Sequence, residues 1–366
     1  MKKVMIYAYT SSNLGDDLFI KELCERYPNT KFQLYAHSDY KKKFYNNKNL
    51  NIISNNNLFN RLINFCSRKF KFINSIQKYK TKKCDAVIYI GGSIFMQKNN
   101  WEKKYERMNS VLNFKKPVYI IGANFGPYED KDFVQKHNNL FKKVTDVCFR
   151  DKYSYQLFET NENVRLANDV IFQMEVNHSS NEKKEDYIVI SVIKPSIRQH
   201  LSNYDELYYK KIKELIIYFT NQNLKVVLIS FCEREGDEEA ISEIMNKLPM
   251  NTQENVSRHH YRQNIDSALE VIANSKLIIA TRFHAMILGW IYNKPVLPIA
   301  YSSKMTNVIE DIGFEGFYTD FKSLANLDVE STFDKMKFNS IDISIQKDNA
   351  VKQFKKLDEY LLQKKR

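Results

Sequence analysis

Leu277-Ile278-Ile279-Ala280-Thr281-Arg282-Phe283-His284-Ala285, residues 277–285, decides how the chain is read. The apolar run 277–280 has the composition of a parallel strand buried on both faces. A strand that ends in Arg282-Phe283-His284 puts a permanent cation and a titratable imidazole at the carboxyl edge of a sheet. Open α/β folds take their ligands at that edge. A second apolar run, Val296-Leu297-Pro298-Ile299-Ala300, leads into Tyr301-Ser302-Ser303-Lys304 and brings a lysine to the same edge. Two cations and an imidazole together suit a small, multiply charged anion, and His284 can move a proton near neutral pH.

The glycines point to the same edges. There are only 9 in 366 residues, and Gly15, Gly91, Gly92, Gly122 and Gly126 follow the short apolar runs 4–8, 86–90 and 118–121. Glycine used this sparingly marks a positive φ or a close approach, although ordinary strand–helix turns use it too. Strand patterns at 3–9, 31–36, 86–90, 117–122, 147–149 and 163–166 alternate with helical patterns near 16–27 and 101–113. The polar stretch 177–186 reads as a linker. The alternation then restarts, with strands at 187–192, 225–230, 277–280 and 296–300 and helices near 204–220, 235–247, 266–275 and 284–292. Such alternation means βαβ units and parallel sheets. The expected fold is α/β, with two Rossmann-like domains, 1–176 and 187–340, facing each other across a cleft. A C-terminal amphipathic helix within 341–366 follows, with Val351, Phe354, Leu357 and Leu361 on one stripe.

Composition narrows the function classes. An apolar fraction of 43% supports large cores. No apolar run approaches the ~18–20 residues that span a bilayer. The run after Met1-Lys2-Lys3 is too short for a signal-peptide core, so a cytoplasmic protein is expected. Cys24, Cys66, Cys84, Cys148 and Cys232 stand singly, which indicates neither a zinc site nor a disulfide framework. His259 and His260 have no Asp, Glu or Cys beside them at ligand spacing, so 257–262 reads as a polar loop and no metal is expected. Arg258 and Arg262 in that loop are within reach of a donor phosphate in this reading. Charge is concentrated: residues 31–83 hold 13 Lys or Arg and one acid, a local net of +12 out of +13.

In order along the chain stand Asn13-Leu14-Gly15-Asp16-Asp17, Gly91-Gly92-Ser93, Gly122-Ala123-Asn124-Phe125-Gly126-Pro127, Arg150-Asp151-Lys152-Tyr153-Ser154, Asp169, Arg282-Phe283-His284 and Tyr301-Ser302-Ser303-Lys304. Each is short, but the ordered set resembles the polysaccharide pyruvyl transferase family, with Ser93 where the family's middle motif often has a third glycine. The resemblance covers about residues 10–310. It implies a fold like the two-domain, glycosyltransferase-B-like enzymes. It also implies transfer of the pyruvyl group of phosphoenolpyruvate onto two hydroxyls of a sugar, as a cyclic ketal, on a cell-surface glycan or its lipid-linked precursor. No cofactor is called for.

Phosphoenolpyruvate carries a phosphate and a carboxylate, so donors are needed on two sides. Arg150 and Arg282 each offer a bidentate fork, and Lys304 a point charge. The alternatives are an ion pair of Arg150 with Asp151 or Asp169, a solvated Lys304, and a structural His284. Phe283 and Tyr301 complete the expected donor set. His284 is the expected general acid/base, with Arg150, Arg282 and Lys304 neutralising the leaving phosphate. Adjacent carboxylates at Asp16 and Asp17 repel an anion, so Asn13, Gly15, Asp16 and Asp17, together with Gly91, Gly92, Ser93 and Asn124, are assigned to the sugar acceptor; helix capping by one aspartate competes. A nucleotide-sugar glycosyltransferase of the same fold is the rival enzyme reading. A nucleic-acid-binding protein using the basic stretch is the rival non-enzyme reading, and it leaves the Arg282–His284–Lys304 cluster unexplained.

Residues 61–83 hold eight basic residues, no acid and interleaved phenylalanines. Such a segment suits an anionic membrane surface, with attachment on the inner face through Arg61, Arg68, Lys69, Lys71 and Lys78 while Phe70 and Phe72 enter the headgroups. Each basic residue near the surface adds about 1 kcal/mol, screened by salt. In liposome co-sedimentation the protein is expected to pellet with anionic vesicles at low salt and to be released at high salt. Equal partition onto neutral and anionic vesicles refutes electrostatic attachment, and binding to DNA alone favours the nucleic-acid reading.

Overall fold

The computed structural model describes residues 1–57, 75–176 and 186–363. Its contacts group into two compact units. The first comprises Met1–Thr10, Leu18–Gln173 and Lys347–Arg366, and the second Ser11–Asp17 and Met174–Gln346. This grouping differs in two places from the division expected from sequence. Residues 11–17 belong with the second unit, and the C-terminal segment belongs with the first. Most of the expected linker, and Arg61, Arg68, Lys69, Phe70, Lys71 and Phe72 of the basic segment, lie outside the described residues; Lys78 is exposed on the helix Ser75–Lys82.

The first unit is built on β1 (Lys3–Tyr7), β2 (Lys31–Ala36), β3 (Leu50–Ser54), β4 (Ala86–Ile90), β5 (Val118–Ala123), β6 (Asp146–Phe149) and β7 (Val164–Leu166). They form a parallel sheet in the order β3-β2-β1-β4-β5-β6-β7. Strands β4, β5 and β6 are buried at every position, which is why their sequences are apolar without alternation. The order reverses at β1 and β4, with Val4 opposite both Phe32 and Ala86.

The second unit holds β8 (Tyr187–Ser191), β9 (Lys225–Ser230), β10 (Val256–His260), β11 (Ile278–Ala280), β12 (Val296–Ala300) and β13 (Thr319–Asp320). Their order is β10-β9-β8-β11-β12-β13, again parallel, and it reverses at β8 and β11. The reversal is the topological switch point, where such sheets open a crevice beyond the strand ends. The 277–285 stretch therefore leaves the sheet at this point.

Two expectations are corrected. Residues 257–262 are not a loop: Val256–His260 is an edge strand. Only Val256 on it is buried, so no apolar alternation marked it. The tail is not one helix but a helix Ser344–Ala350, a single 3₁₀ turn Val351–Phe354 and a helix Lys355–Leu361. Phe354 and Leu357 are buried as the stripe requires, whereas Val351 is exposed. No described helix is long and apolar enough to cross a membrane.

Gln353 explains why the tail belongs with the first sheet. Its amide is buried, accepts from Gly122 N at 2.9 Å and donates to Ala167 O at 2.9 Å and Asn168 O at 3.1 Å. One side chain thus satisfies backbone groups at the exits of β5 and β7. Arg26 and Tyr27 add bonds to Asp358 at 2.6 and 2.7 Å. Gln353→Ala is expected to strand these buried groups at about 1–3 kcal/mol each. Urea denaturation should show a loss of at least about 2 kcal/mol; an unchanged midpoint would show that the tail does not hold the sheet.

Candidate functional site

The second unit assembles its chemistry at the β8–β11 switch. Ser191 ends β8, and its hydroxyl accepts from the backbone N–H groups of Thr281 and Arg282, both at 3.1 Å. Arg282 caps the helix Phe283–Ile291, a helix so apolar that all its residues except His284 are buried. The Arg282 side chain does not point to a free ligand site. Its Nε donates to Asp237 Oδ2 at 3.0 Å, a terminal nitrogen donates to the other Asp237 oxygen, and the remaining one donates to Glu235. Arg282 is 4% exposed and Asp237 0%. The fork expected to grip a substrate anion is occupied by the protein's own carboxylates, and Arg282 becomes the group that fixes the turn.

Asp237 also accepts from Phe231 N at 2.8 Å and Cys232 N at 2.9 Å. Burial pushes its carboxyl upward, against the pull of Arg282 and the two N–H donors. For Glu235 the balance is reversed. Burial would raise it, but the charges of Arg282, Arg198 and Lys304 prevail and hold it at about 2.

Residues 11–17 complete this site. Leu14 N donates to Phe231 O at 3.0 Å, which anchors the turn on the exit of β9. Gly15 N is bonded to Asn13 Oδ1 at 3.1 Å. Tyr261 OH donates to Asp17 Oδ2 at 2.7 Å, with both residues buried. A Cβ on Gly15 would lie 1.7 Å from His284 Nδ1, so only glycine lets the turn meet the imidazole. Asn13, Gly15, Asp16 and Asp17 were assigned to the sugar acceptor within the domain 1–176; they group instead with the second unit, where Gly15 meets His284. Asp17 is fixed and buried, while Asp16 and Asn13 remain partly exposed.

Beyond β12, the buried Tyr301 ring lies close to Arg198, whose guanidinium carbon is 4.6 Å from its centroid, and to Lys304, whose Nζ is 5.1 Å away. Burial would raise this phenol, but Lys304, Arg198 and Arg282 outweigh it and lower it. Phe283 packs edge-on to His284, with centroids 5.0 Å apart. Sequence reading did not single out Arg198, Glu235, Asp237 or Tyr261. One signal was present: Glu235-Gly236-Asp237 follows β9 at the same carboxyl edge. Arg262, expected to reach a donor phosphate, and His260, read as part of a polar loop, face Glu238; Arg262 donates to it at 2.9 Å.

The first unit gathers its own cluster at successive strand exits: Gly91-Gly92-Ser93 after β4, Asn124 after β5, Arg150 after β6 and Asp169 after β7. Arg150 is 4% exposed and donates to Asp169 Oδ2 at 2.7 Å and to Asn124 Oδ1 at 2.8 Å. A Cβ on Gly92 would come within 2.5 Å of its guanidinium, so Gly92 is a close-approach glycine and Arg150 takes the Asp169 ion pair. Asp151 caps the helix Lys152–Gln156, bonding Ser154 N at 2.8 Å. Ser154 Oγ in turn accepts from Phe125 N at 2.7 Å, which holds the 122–127 loop. Cys24, Cys84, Cys148 and Cys232 are buried, and burial raises each thiol, Cys84 to about 11 and Cys148 and Cys232 to about 12.

Residues 13–303 match the polysaccharide pyruvyl transferase family. The amylovoran biosynthesis protein AmsJ of Erwinia amylovora is similar, 24% identical over 300 residues that cover 75% of this chain and 70% of AmsJ. Among solved structures, Anabaena Alr3699/HepE in complex with UDP-glucose superposes with TM-score 0.61 at 13% identity, covering 99% of this chain and 100% of that one. The Staphylococcus aureus MnaA–UDP structure gives TM-score 0.61 at 14% identity, over 99% and 97% of the two chains. The Escherichia coli ADP-heptose LPS heptosyltransferase II gives 0.52 at 14%, over 92% and 98%. These likenesses show the fold, two parallel α/β units of the glycosyltransferase-B kind.

Gly15→Ala should force the turn and the imidazole apart. The expected cost is about 1–3 kcal/mol in chemical denaturation, with a changed His284 ring signal in NMR titration. A variant with wild-type stability and an unmoved His284 resonance would show that the turn does not meet the imidazole.

Proposed function

The chain belongs to the polysaccharide pyruvyl transferase family, and from that premise we propose that it transfers the pyruvyl group of phosphoenolpyruvate onto a sugar of a cell-surface glycan or its lipid-linked precursor. The observation that supports this most is the approach of Gly15 to His284 within the second unit. It brings a proton-transferring group against a turn carrying Asn13 and Asp16, which suit sugar hydroxyls. The AmsJ relative, named for amylovoran biosynthesis, supports a glycan as the acceptor.

In this reading a proton is added to C3 of the enol, leaving an oxocarbenium-like centre at C2. One sugar hydroxyl attacks C2, phosphate leaves, and the second hydroxyl closes the ketal. Of the two hydroxyl protons, one ends on the new methyl group and the other leaves with phosphate. His284 moves these protons, a role worth typically ~10²–10⁴-fold in rate. Lys304 faces the phosphate. Arg282, held by the buried Asp237, sets the positive field rather than wrapping the ligand. Asp16 accepts from an acceptor hydroxyl. The membrane surface, through the basic segment, is where a lipid-linked acceptor is met.

The test is phosphate release from phosphoenolpyruvate with a panel of lipid-linked and free sugars. His284→Ala is expected to cut turnover at least ~100-fold with donor affinity little changed. Near-normal turnover in that variant removes His284 from the chemistry. Tight binding of UDP- or ADP-sugars with none of phosphoenolpyruvate replaces the reading with a nucleotide-sugar transferase.

A further inference from the structure

The cations around Tyr301 are held differently from one another. Asp237 is fully buried and locked by Arg282 and two backbone N–H groups. Glu235 is bonded to side chains, accepting from Arg198 at 3.0 Å on the same oxygen that Arg282 reaches. Its side chain is 25% exposed, against 5% for Arg282 and 15% for Arg198. It ends a single three-residue turn just before Gly236, whose φ is +76°. A carboxylate so placed can leave by rotating its own side chain, whereas Asp237 can leave only by unmaking the exit of β9.

Charge makes the same distinction. Arg282 pairs with both Asp237 and Glu235, and Arg198 with Glu235; with Lys304 near Tyr301, cations outnumber carboxylates by one among these five groups. With Glu235 swung out, the surplus becomes two, the charge of a phosphate monoester dianion. Two of the cations, Arg198 and Lys304, lie close to the buried Tyr301 ring, and the backbone carbonyl of Tyr301 is bonded to His200 at 3.0 Å, which steadies the exit of β12.

We propose that Arg198, Lys304 and Tyr301 form the phosphate-binding site of this unit, and that Glu235 is a built-in occupant which the ligand phosphate displaces. Arg198 is then a substrate-binding residue, and Glu235 competes with the ligand for it. Self-competition lowers the apparent affinity by the fraction of time the site is open. It also keeps buried cations paired when the site is empty, which is otherwise costly. The donor identity rests on the proposed function; the phosphate site does not.

Calorimetry with inorganic phosphate and, separately, with phosphoenolpyruvate tests this on the full chain, with thermal unfolding as the check on folding. Glu235→Gln is expected to tighten phosphate binding at least ~3-fold by removing the competitor. Arg198→Ala should weaken it ~10-fold or more, and Arg198→Lys should recover part of the loss. Glu235→Ala serves in the same way if the glutamine variant is unstable. If both Glu235 variants unfold, or bind phosphate more weakly than wild type, Glu235 is structural and the proposal is overturned. Unchanged binding in Arg198→Ala overturns it equally. If phosphate follows the expected pattern but phosphoenolpyruvate does not bind, the site stands and the donor assignment falls.

Discussion

The buried carboxylate of Asp237 is the interaction on which the second unit's chemistry depends. It accepts from the backbone of Phe231 and Cys232 as the chain leaves β9, and it holds Arg282 as the chain leaves β11. Through Phe231, whose carbonyl receives Leu14 N, the same anchor reaches the 11–17 turn. Gly15 and His284 therefore meet because two separate excursions from the sheet are tied to one aspartate. An ion pair taken this far out of water is weak evidence of net stability, since desolvation offsets most of the attraction. Its value here is geometric. Removing one partner would leave a buried charge unpaired, at about 3–5 kcal/mol, so the alternatives to this arrangement are strongly disfavoured.

That constraint separates two kinds of cation that look alike in sequence. Arg150 and Arg282 are both deeply buried and each pairs with a buried aspartate, Asp169 and Asp237, with a further nitrogen on Asn124 and Glu235 respectively. Arg198 and Lys304 stand around a tyrosine ring with more access to solvent, and Arg198 has a glutamate for its partner. The first kind supplies a fixed field and a fixed backbone. The second kind is the one we propose exchanges a carboxylate for a phosphate. An arginine at a strand end thus marks the edge of the sheet reliably, but its neighbours in space decide whether it holds a ligand or the protein.

Most of the sheet framework was legible because its strands are buried on both faces. The runs 86–90, 225–230 and 296–300 coincide with strands of the structure, since their near-continuous apolar residues leave little choice, while 31–36, buried at alternate positions, shows the period of two. The edge strand Val164–Leu166 falls within the expected 163–166, but two other edge strands were not legible. Leu50–Ser54 carries Asn51 outward, and Val256–His260 is polar at all but one position, so neither offers a period to detect. The strand exits bearing His284, Gly15, Gly92 and Arg150 were found from glycine scarcity and chain order. Their partnerships were not: Gly15 lies 269 residues before His284, and nothing in either local pattern encodes a contact at that separation. Tyr261 and Glu235 were missed for the same reason, being defined by the residues opposite them.

Gln353 has a consequence for how the first unit is closed. Backbone groups at Gly122, Ala167 and Asn168 find their partners in one side chain of the segment 347–366, which the stretch 174–346 separates in sequence from the rest of that unit. The first unit is therefore discontinuous, and the loop that its polar seam must close is the greater part of the second unit. Loosening that one segment opens the exits of β5 and β7 together.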